Sequence, residues 1–282
     1  MAVSASDVKK LRDKTGAGMM ECKKALVEAE GEFTRAEKIL KELGLAAAAK
    51  RGGRATNEGR IFTHISDSRA AIVEVACETD FVARNETFVA LGDELAAEAA
   101  ERGLKAPDES MESKVKDAIS TIKENMTVRR VDTLDISDSQ LAVDYIHGEG
   151  GSLGVIAVVD VEKPELKQNE RVKQFAFDLA LHVAAFNPTF LSKDTVPQEY
   201  LDEQESVFRK QAENLGKPEK VLQGIVQGKM KKHLAEICFV EQPFVKDDKR
   251  SVSDVAKELG KEVGSNISIV DFRYFRVGEE ME

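Results

Sequence analysis

A nearly continuous apolar run over residues 70–76, broken only by Glu74, has the length and composition of a largely buried strand. It gives way to Cys77-Glu78-Thr79-Asp80-Phe81-Val82-Ala83-Arg84. Asn85-Glu86 then opens a helical pattern carried by Phe88, Leu91, Leu95-Ala96 and Ala100. The same succession recurs further on. His64 followed by Ala71-Ile72-Val73-Glu74-Val75 is echoed by His147 followed by Gly154-Val155-Ile156-Ala157-Val158. The helical pattern is echoed by Asn169-Glu170, Val172, Phe175, Leu179-Ala180 and Ala184, one residue out of step with the strands, so a small insertion separates the two pairings. The duplication predicts two α+β subdomains, each packing helices on an antiparallel sheet built from hairpin-like strands.

Three shorter periodic stretches precede this core. Val8 and Leu11 mark a helix after Ser4 or Ser6, which Thr15-Gly16-Ala17-Gly18 breaks. Cys22, Leu26 and Ala29 mark a second helix up to Gly31. Ala36, Ile39, Leu40 and Leu43 mark a third, with Gly44 as its expected stop. Three short helices joined by glycine turns resemble a ubiquitin-associated domain, and a core so small is marginal alone. Residues 46–59, centred on Lys50-Arg51-Gly52-Gly53-Arg54, read as a solvated tether, since no aromatics interleave the cations as a nucleic-acid strip requires. Late in the chain, Pro197 starts a helix with Leu201, Phe208, Ala212 and Leu215 on one stripe. Gly216-Lys217-Pro218 turns the chain, and Val221, Leu222, Ile225, Val226, Met230, Leu234 and Ile237 keep a 3.6-residue period. This predicts a projecting helical hairpin. Strands at residues 238–240 and 267–277, with a helix marked by Val255, Ala256 and Leu259 between them, are expected to complete the second sheet.

Composition narrows the function classes. A net charge of −10 argues against general nucleic-acid binding, which needs clustered Lys and Arg. No apolar run approaches the roughly 20 residues that span a bilayer, and charge from Asp7 onward leaves no signal-peptide core. Cys22, Cys77 and Cys238 are far apart and lack metal-ligand spacing, as expected of reduced thiols in the cytoplasm. No phosphate-binding glycine loop with Lys-Ser/Thr is present, so the chain is not expected to bind GTP itself. The glycines of residues 148–154 lie between strands and read as a hairpin turn.

Candidate chemistry concentrates after the first buried strand. Loops leaving a buried strand are held rigidly while their own side chains stay free. Asp80-Phe81 there offers one charge and one ring. The alternative is structural, with Asp80 as a helix cap and Phe81 as core. The second copy carries Lys163-Pro164 at this place, so the loop differs where the scaffold repeats. Cys77, Asp80 and His147 could form a thiol site, although a lone Cys in an apolar strand is usually inert.

Thr79-Asp80-Phe81-Val82-Ala83, with Cys77 before it, is similar to the signature of the elongation factor Ts family. The resemblance extends to Leu11-Arg12, Thr15-Gly16-Ala17-Gly18-Met19-Met20, Cys22-Lys23-Lys24-Ala25-Leu26, Gly228-Lys229-Met230-Lys231-Lys232 and Gln242-Pro243-Phe244-Val245, in order along the chain. It implies a guanine-nucleotide exchange factor, not an enzyme, that binds GDP-loaded elongation factor Tu, dislodges Mg²⁺ and speeds GDP release. Thr79, Asp80, Phe81 and Val82 would carry the displacement. Leu11, Thr15, Gly16, Met19 and Met20 would make the amino-terminal contact, with His147 as a lesser contact candidate. Neither metal nor cofactor is expected. The nucleotide-free partner would be bound too, and the helical hairpin is the place for any self-association. Some relatives continue into a further helix after the segment matching Val277-Gly278-Glu279, so with the chain ending at Glu282 that contact is expected to be absent or supplied elsewhere. The implied fold is α+β: a ubiquitin-associated-like bundle (1–50), a basic linker (51–60), a first core subdomain (61–140), and a second (141–195 and 237–282) interrupted by the hairpin (196–236). The alternative is a protein-binding adaptor built on the amino-terminal module and without exchange activity.

Overall fold

A computed structural model of the chain describes residues 3–214, 216 and 218–280, so Leu215, Lys217 and Glu282 lie outside the described residues. The chain divides into two compact units. The first takes the chain through Asp135 together with Ile146–Gly154 and the segment from Phe275, and the second takes Ile136–Tyr145 and Val155–Tyr274. Mixed helices and antiparallel sheets make the fold α+β.

The first unit contains α1 (Ala5–Thr15), α2 (Met19–Glu28), α3 (Phe33–Arg51), β1 (Glu58–Ile65), β2 (Arg69–Cys77), α4 (Asp80–Ala83), α5 (Glu86–Arg102), α6 (Glu109–Ile122) and β3 (Met126–Asp135). Ser4 caps α1, accepting from the Asp7 amide at 3.1 Å, and Gly16 closes it in the left-handed region at φ 66°. Val8, Leu11, Cys22, Ala25, Leu26, Ala36 and Leu40 form the core of the three helices. The helix expected to stop at Gly44 instead continues to Arg51. Gly44 is buried against α6, where a Cβ would lie 2.4 Å from Ser120 Cβ. Its missing side chain serves close packing rather than termination.

The sheet order is β1-β2-β3, with β2 antiparallel to both neighbours. Ala71, Val73, Val75 and Cys77 of β2 face α5 and α6 through Phe88, Leu91, Leu95, Met111, Val115 and Ile119. Gly92 of α5 lets the Phe62 ring of β1 pass within 2.2 Å of where a Cβ would stand. Glu74 points the other way, fully buried, where a lone carboxylate would be costly. Arg130 Nε donates to it at 2.6 Å and the Gly278 amide at 2.9 Å, and the Arg130 guanidinium lies 4.2 Å from the Phe275 ring centroid. The acid that interrupts the apolar run is thus a partnered anchor.

The remaining elements are β4 (Gln140–His147), β5 (Leu153–Val161), α7 (Glu170–Phe186), α8 (Gln198–Glu213), α9 (Glu219–Ile237), β6 (Pro243–Phe244), β7 (Asp247–Ser251), α10 (Val252–Val263) and β8 (Ile267–Arg276). They form a sheet of order β4-β5-β8 whose central strand is again the apolar one. The hairpin between β4 and β5 turns through Gly148 and Gly151 at φ 73° and 61°. The duplication read in the sequence is present: α5 and α7 are each 17 residues long, and Asn85 and Asn169 cap them through the same side-chain bond to the second amide on, 2.9 Å in each.

Residues 238–240 do not form the expected strand. Phe239–Glu241 is a single 3₁₀ turn, tied by the Phe239 amide to Phe190 O at 2.8 Å and by the Val240 amide to Leu191 O at 3.1 Å. Full burial of Phe239 draws the backbone inward, and β8 takes the sheet position alone of that pair. The helical hairpin is present as α8 packed on α9 around Ala212, Leu222 and Val226, flanked by Phe208, Ile225 and Met230.

His182 of α7 keys the second unit. Its Nδ1 accepts from the Val245 amide at 3.1 Å, which leaves the proton on Nε2, 2.8 Å from Gln242 Oε1. Gln242 in turn donates to Glu236 O, and the imidazole stacks on Phe239 and Phe244. Burial holds the imidazole below its ordinary pKa, with the Gln242 bond opposing in part.

The packing at Gly44 and at His182 can each be tested by stability measurements. Gly44→Ala would gain about 0.8–1.0 kcal/mol of helix propensity at an open site, whereas overpacking costs about 1–3 kcal/mol. The clash with Ser120 should dominate, so urea unfolding of Gly44→Ala shows a lowered midpoint; a raised one would rule out the α3–α6 contact. For His182 the unfolded chain binds a proton below about pH 6.5 while the folded chain resists it, so stability is full above that value and falls as the pH drops below it. Glu241, pushed up by burial, acts in the opposite sense. The His182 contribution is therefore isolated by comparison: between about pH 7.5 and 5, the unfolding free energy of wild type should fall relative to that of His182→Phe as the pH drops.

Candidate partner-binding site

The last residue pair of the β2–β3 ladder is Cys77 with Met126. Beyond it the two chains diverge, and their amides need new acceptors. Each chain supplies one to the other. The Thr79 amide donates to Glu124 Oε2 at 3.0 Å, and the Asn125 amide donates to Glu78 Oε1 at 2.6 Å. Thr79 Oγ1 also donates to Glu124 Oε1 at 2.8 Å, and Asn125 Nδ2 donates to Arg54 O at 2.8 Å. Arg54 pairs with Glu78 at 3.3 Å. This clasp fixes where the chain leaves the sheet.

Thr79 then caps α4, its Oγ1 accepting from the Val82 amide at 3.3 Å. One helical turn sorts the next residues by direction. Val82 and Ala83 turn into the core, while Phe81 is 82% exposed, the most exposed large apolar residue among those described. Asp80 faces solvent and holds Arg84 only loosely at 3.8 Å. The reading in which Asp80 is the cap and Phe81 joins the core is therefore wrong: Thr79 is the cap, and the ring is presented. Such exposure of a large ring on an ordered turn is the informative kind.

Cys77 has no catalytic setting. Its thiol donates to Thr79 O at 3.2 Å, and burial, with the Glu124 charge behind it, pushes its pKa up to about 12. A thiol nucleophile needs the opposite shift.

The second group of expected site residues surrounds the α1–α2 turn. Met19 and Met20 are 46% and 64% exposed at the start of α2. Thr15 is half-buried, its Oγ1 donating to Leu11 O at 2.7 Å. Gly16 takes the left-handed conformation beside Thr121. Leu11 is fully buried in the three-helix core, so it supports this surface without presenting its own side chain. His147 is exposed at the end of β4. Glu21, whose carboxyl the Gly18 amide and Lys123 hold below the usual range, ties α2 to Lys123 at 3.0 Å. Lys123, Glu124 and Asn125 thus touch α2, the Thr79 turn and the Glu78–Arg54 pair in succession.

Sequence reasoning did not find Glu78, Glu124, Asn125 or Arg54. Their partners lie 24 to 71 residues away, beyond any local period. Among the described residues no cluster of three or more His, Cys, Asp or Glu could hold a metal ion, and no helix is long and apolar enough to cross a membrane.

The family model described as elongation factor TS matches residues 78–279. The chain is 45% identical to elongation factor Ts of Borrelia recurrentis (strain A1) over 278 residues, 99% of this chain and all of that protein. It is also 45% identical to elongation factor Ts of Treponema denticola over 278 residues, 99% of each chain. The matched span begins at Glu78 and includes the presented turn with Glu78, Glu124 and Asn125 of its clasp, but not Arg54. With identity of this extent, the chain belongs to the elongation factor Ts family.

Proposed function

We propose that the protein binds GDP-loaded elongation factor Tu in the cytoplasm, displaces its Mg²⁺ and speeds GDP release, leaving a nucleotide-free complex that GTP resolves. The observation that carries this reading is the exposed Phe81 ring on a capped, clasped turn. Mg²⁺ requires near-ideal octahedral oxygen coordination and is held in GTPases partly through nucleotide phosphate. Phe81 enters an apolar gap in the partner and shifts the elements that support the ion. Asp80 brings negative charge to compete for the waters or polar groups that order it. Thr79 and Val82 hold the turn from within, one as cap and the other as buried anchor.

The other contacts hold the wedge in place. Residues 1–50 act as a ubiquitin-associated-like gripping module through Met19 and Met20, shaped by Thr15 and Gly16 over buried Leu11. Residues 51–60 link this module to the core subdomains. His147, exposed at a hairpin end, is a further contact. The arm of residues 196–236 is the site of any self-association.

Magnitudes show why the grip is needed. Weakening GDP binding about a thousandfold requires roughly 4 kcal/mol of coupling. Burying one Phe contributes roughly 1.5–3 kcal/mol. The remainder comes from surfaces that bind the distorted partner more tightly than the relaxed one.

Stopped-flow release of a fluorescent GDP from elongation factor Tu tests the proposal. Wild type should accelerate release, and Phe81→Ala should lose at least about tenfold of that acceleration while complex formation weakens less. Equal losses in both would remove the wedge from the account. Binding by wild type without acceleration would leave the adaptor reading in its place. A thiol-dependent activity is tested separately. Cys77 is fully buried, and that burial pushes its thiol pKa up to about 12, so almost none of it is thiolate at neutral pH. Iodoacetamide at neutral pH should therefore label Cys77 only after unfolding, as read by peptide mass.

A further inference from the structure

We infer that Glu124 is a positioning residue that sets the pose of the Phe81 turn, an inference that rests on the exchange reading for its functional consequence. A helix of four residues has no stability of its own, because nucleation cost is not repaid within one turn. Phe81 makes little contact that could orient it. The pose therefore depends on the burial of Val82 and Ala83 and on what holds Thr79. Glu124 takes both Thr79 donors at once, the amide with Oε2 and the hydroxyl with Oε1. Holding the hydroxyl by its proton leaves the Thr79 oxygen lone pairs free to accept from Val82, so the carboxylate aligns the cap as well as the chain.

The second copy supplies an internal comparison. There the Asn266 amide donates to Glu162 Oε2 at 3.3 Å, as the Asn125 amide does to Glu78. The Lys163 amide donates to Ser265 Oγ at 3.3 Å, as the Thr79 amide does to Glu124. Gly264 closes α10 in the left-handed region at φ 67°, as Lys123 closes α6 at φ 72°. The clasp is thus duplicated, and a neutral serine oxygen is enough to make it. The first copy differs in having a carboxylate long enough to reach a second donor and a threonine to present that donor. The chain after the second clasp, Pro164–Gln168, buries no residue and presents no large apolar side chain among those described. The extra bond occurs where a ring has to be aimed.

The test uses the full-length chain with Glu124→Ala, Glu124→Gln and Glu124→Ser, the last copying Ser265 and so keeping a fold-compatible clasp. Two readouts are taken: the maximal GDP-release rate and half-saturating concentration with elongation factor Tu, and amide hydrogen exchange of residues 79–83 in the free protein. Glutamine has the same reach, accepting from the Thr79 amide and donating to its hydroxyl oxygen, and should stay within about threefold of wild type in maximal rate. Alanine and serine should lose about tenfold in maximal rate, with the half-saturating concentration changed less than about threefold. The turn amides should exchange faster in alanine and serine than in glutamine or wild type. A wild-type rate and wild-type exchange in Glu124→Ser would overturn the inference. So would equal losses in all three variants, which would assign the effect to charge rather than aim. If wild type itself failed to accelerate GDP release, the exchange reading would fall, while the amide exchange pattern would still decide whether Glu124 holds the turn.

Discussion

The reciprocal bonds between Glu78 and Asn125 and between Glu124 and Thr79 are the constraint on which the candidate site at the end of β2 depends. A strand buried along almost its whole length must leave its sheet somewhere, and its last amides cannot be left without acceptors. Here the two departing chains satisfy each other with ionised side chains, the stronger class of hydrogen bond. Several features result. Thr79 is placed to cap α4, Cys77 is sealed beneath Thr79 O, and Val82 and Ala83 enter the core. Phe81 is left outside because one helical turn cannot bury all of its faces.

The same constraint explains why duplication and divergence coexist. Both copies have a buried central strand, an Asn-capped helix of the same length and a clasp closed by a left-handed residue. Those parts answer needs that any such strand end has. The segment beyond the clasp is under no such need, and there the copies separate into a capped turn with a presented ring and a 3₁₀ turn led by Pro164. The second unit invests its polar chemistry elsewhere, in a neutral His182 bonded at both ring nitrogens and tying residues 242–245 to α7.

Periodicity made α1, α2, α5, α7, α8 and α9 legible, together with the apolar strands and the duplication, because their buried residues recur at short fixed spacing. Gly44 misled because its sequence cannot say whether a missing Cβ serves a turn or a close contact, and here Ser120 decides it. Residues 238–240 misled because an apolar triplet fits a strand or a buried turn equally, and the pull of Phe239 into the core chose the turn. α6 and β3 went unread. Met111, Val115 and Ile119 are sparse among charges, and a register shift between Glu74 and Val75 disturbs the pairing of β3 with β2. Of the candidate site, Asp80-Phe81 was legible through family resemblance, whereas the cap at Thr79 and the clasp beneath it were not. Glu124 and Thr79 are 45 residues apart and meet only because β3 returns beside β2.

An exposed ring can be useful only if the chain that carries it is already ordered. Fixing the backbone of one residue costs about 1–2 kcal/mol, so a floppy turn of four residues would lose roughly 4–8 kcal/mol on ordering. That exceeds the roughly 1.5–3 kcal/mol that burying one Phe returns. A loose Phe81 turn would therefore spend more free energy becoming ordered than its ring could recover from any partner. Ordering the turn in the free protein moves that cost into folding, where the buried core around Val82 and Ala83 and the Glu124 carboxylate offset it. The free energy of burying the ring is then not consumed in ordering the turn that carries it.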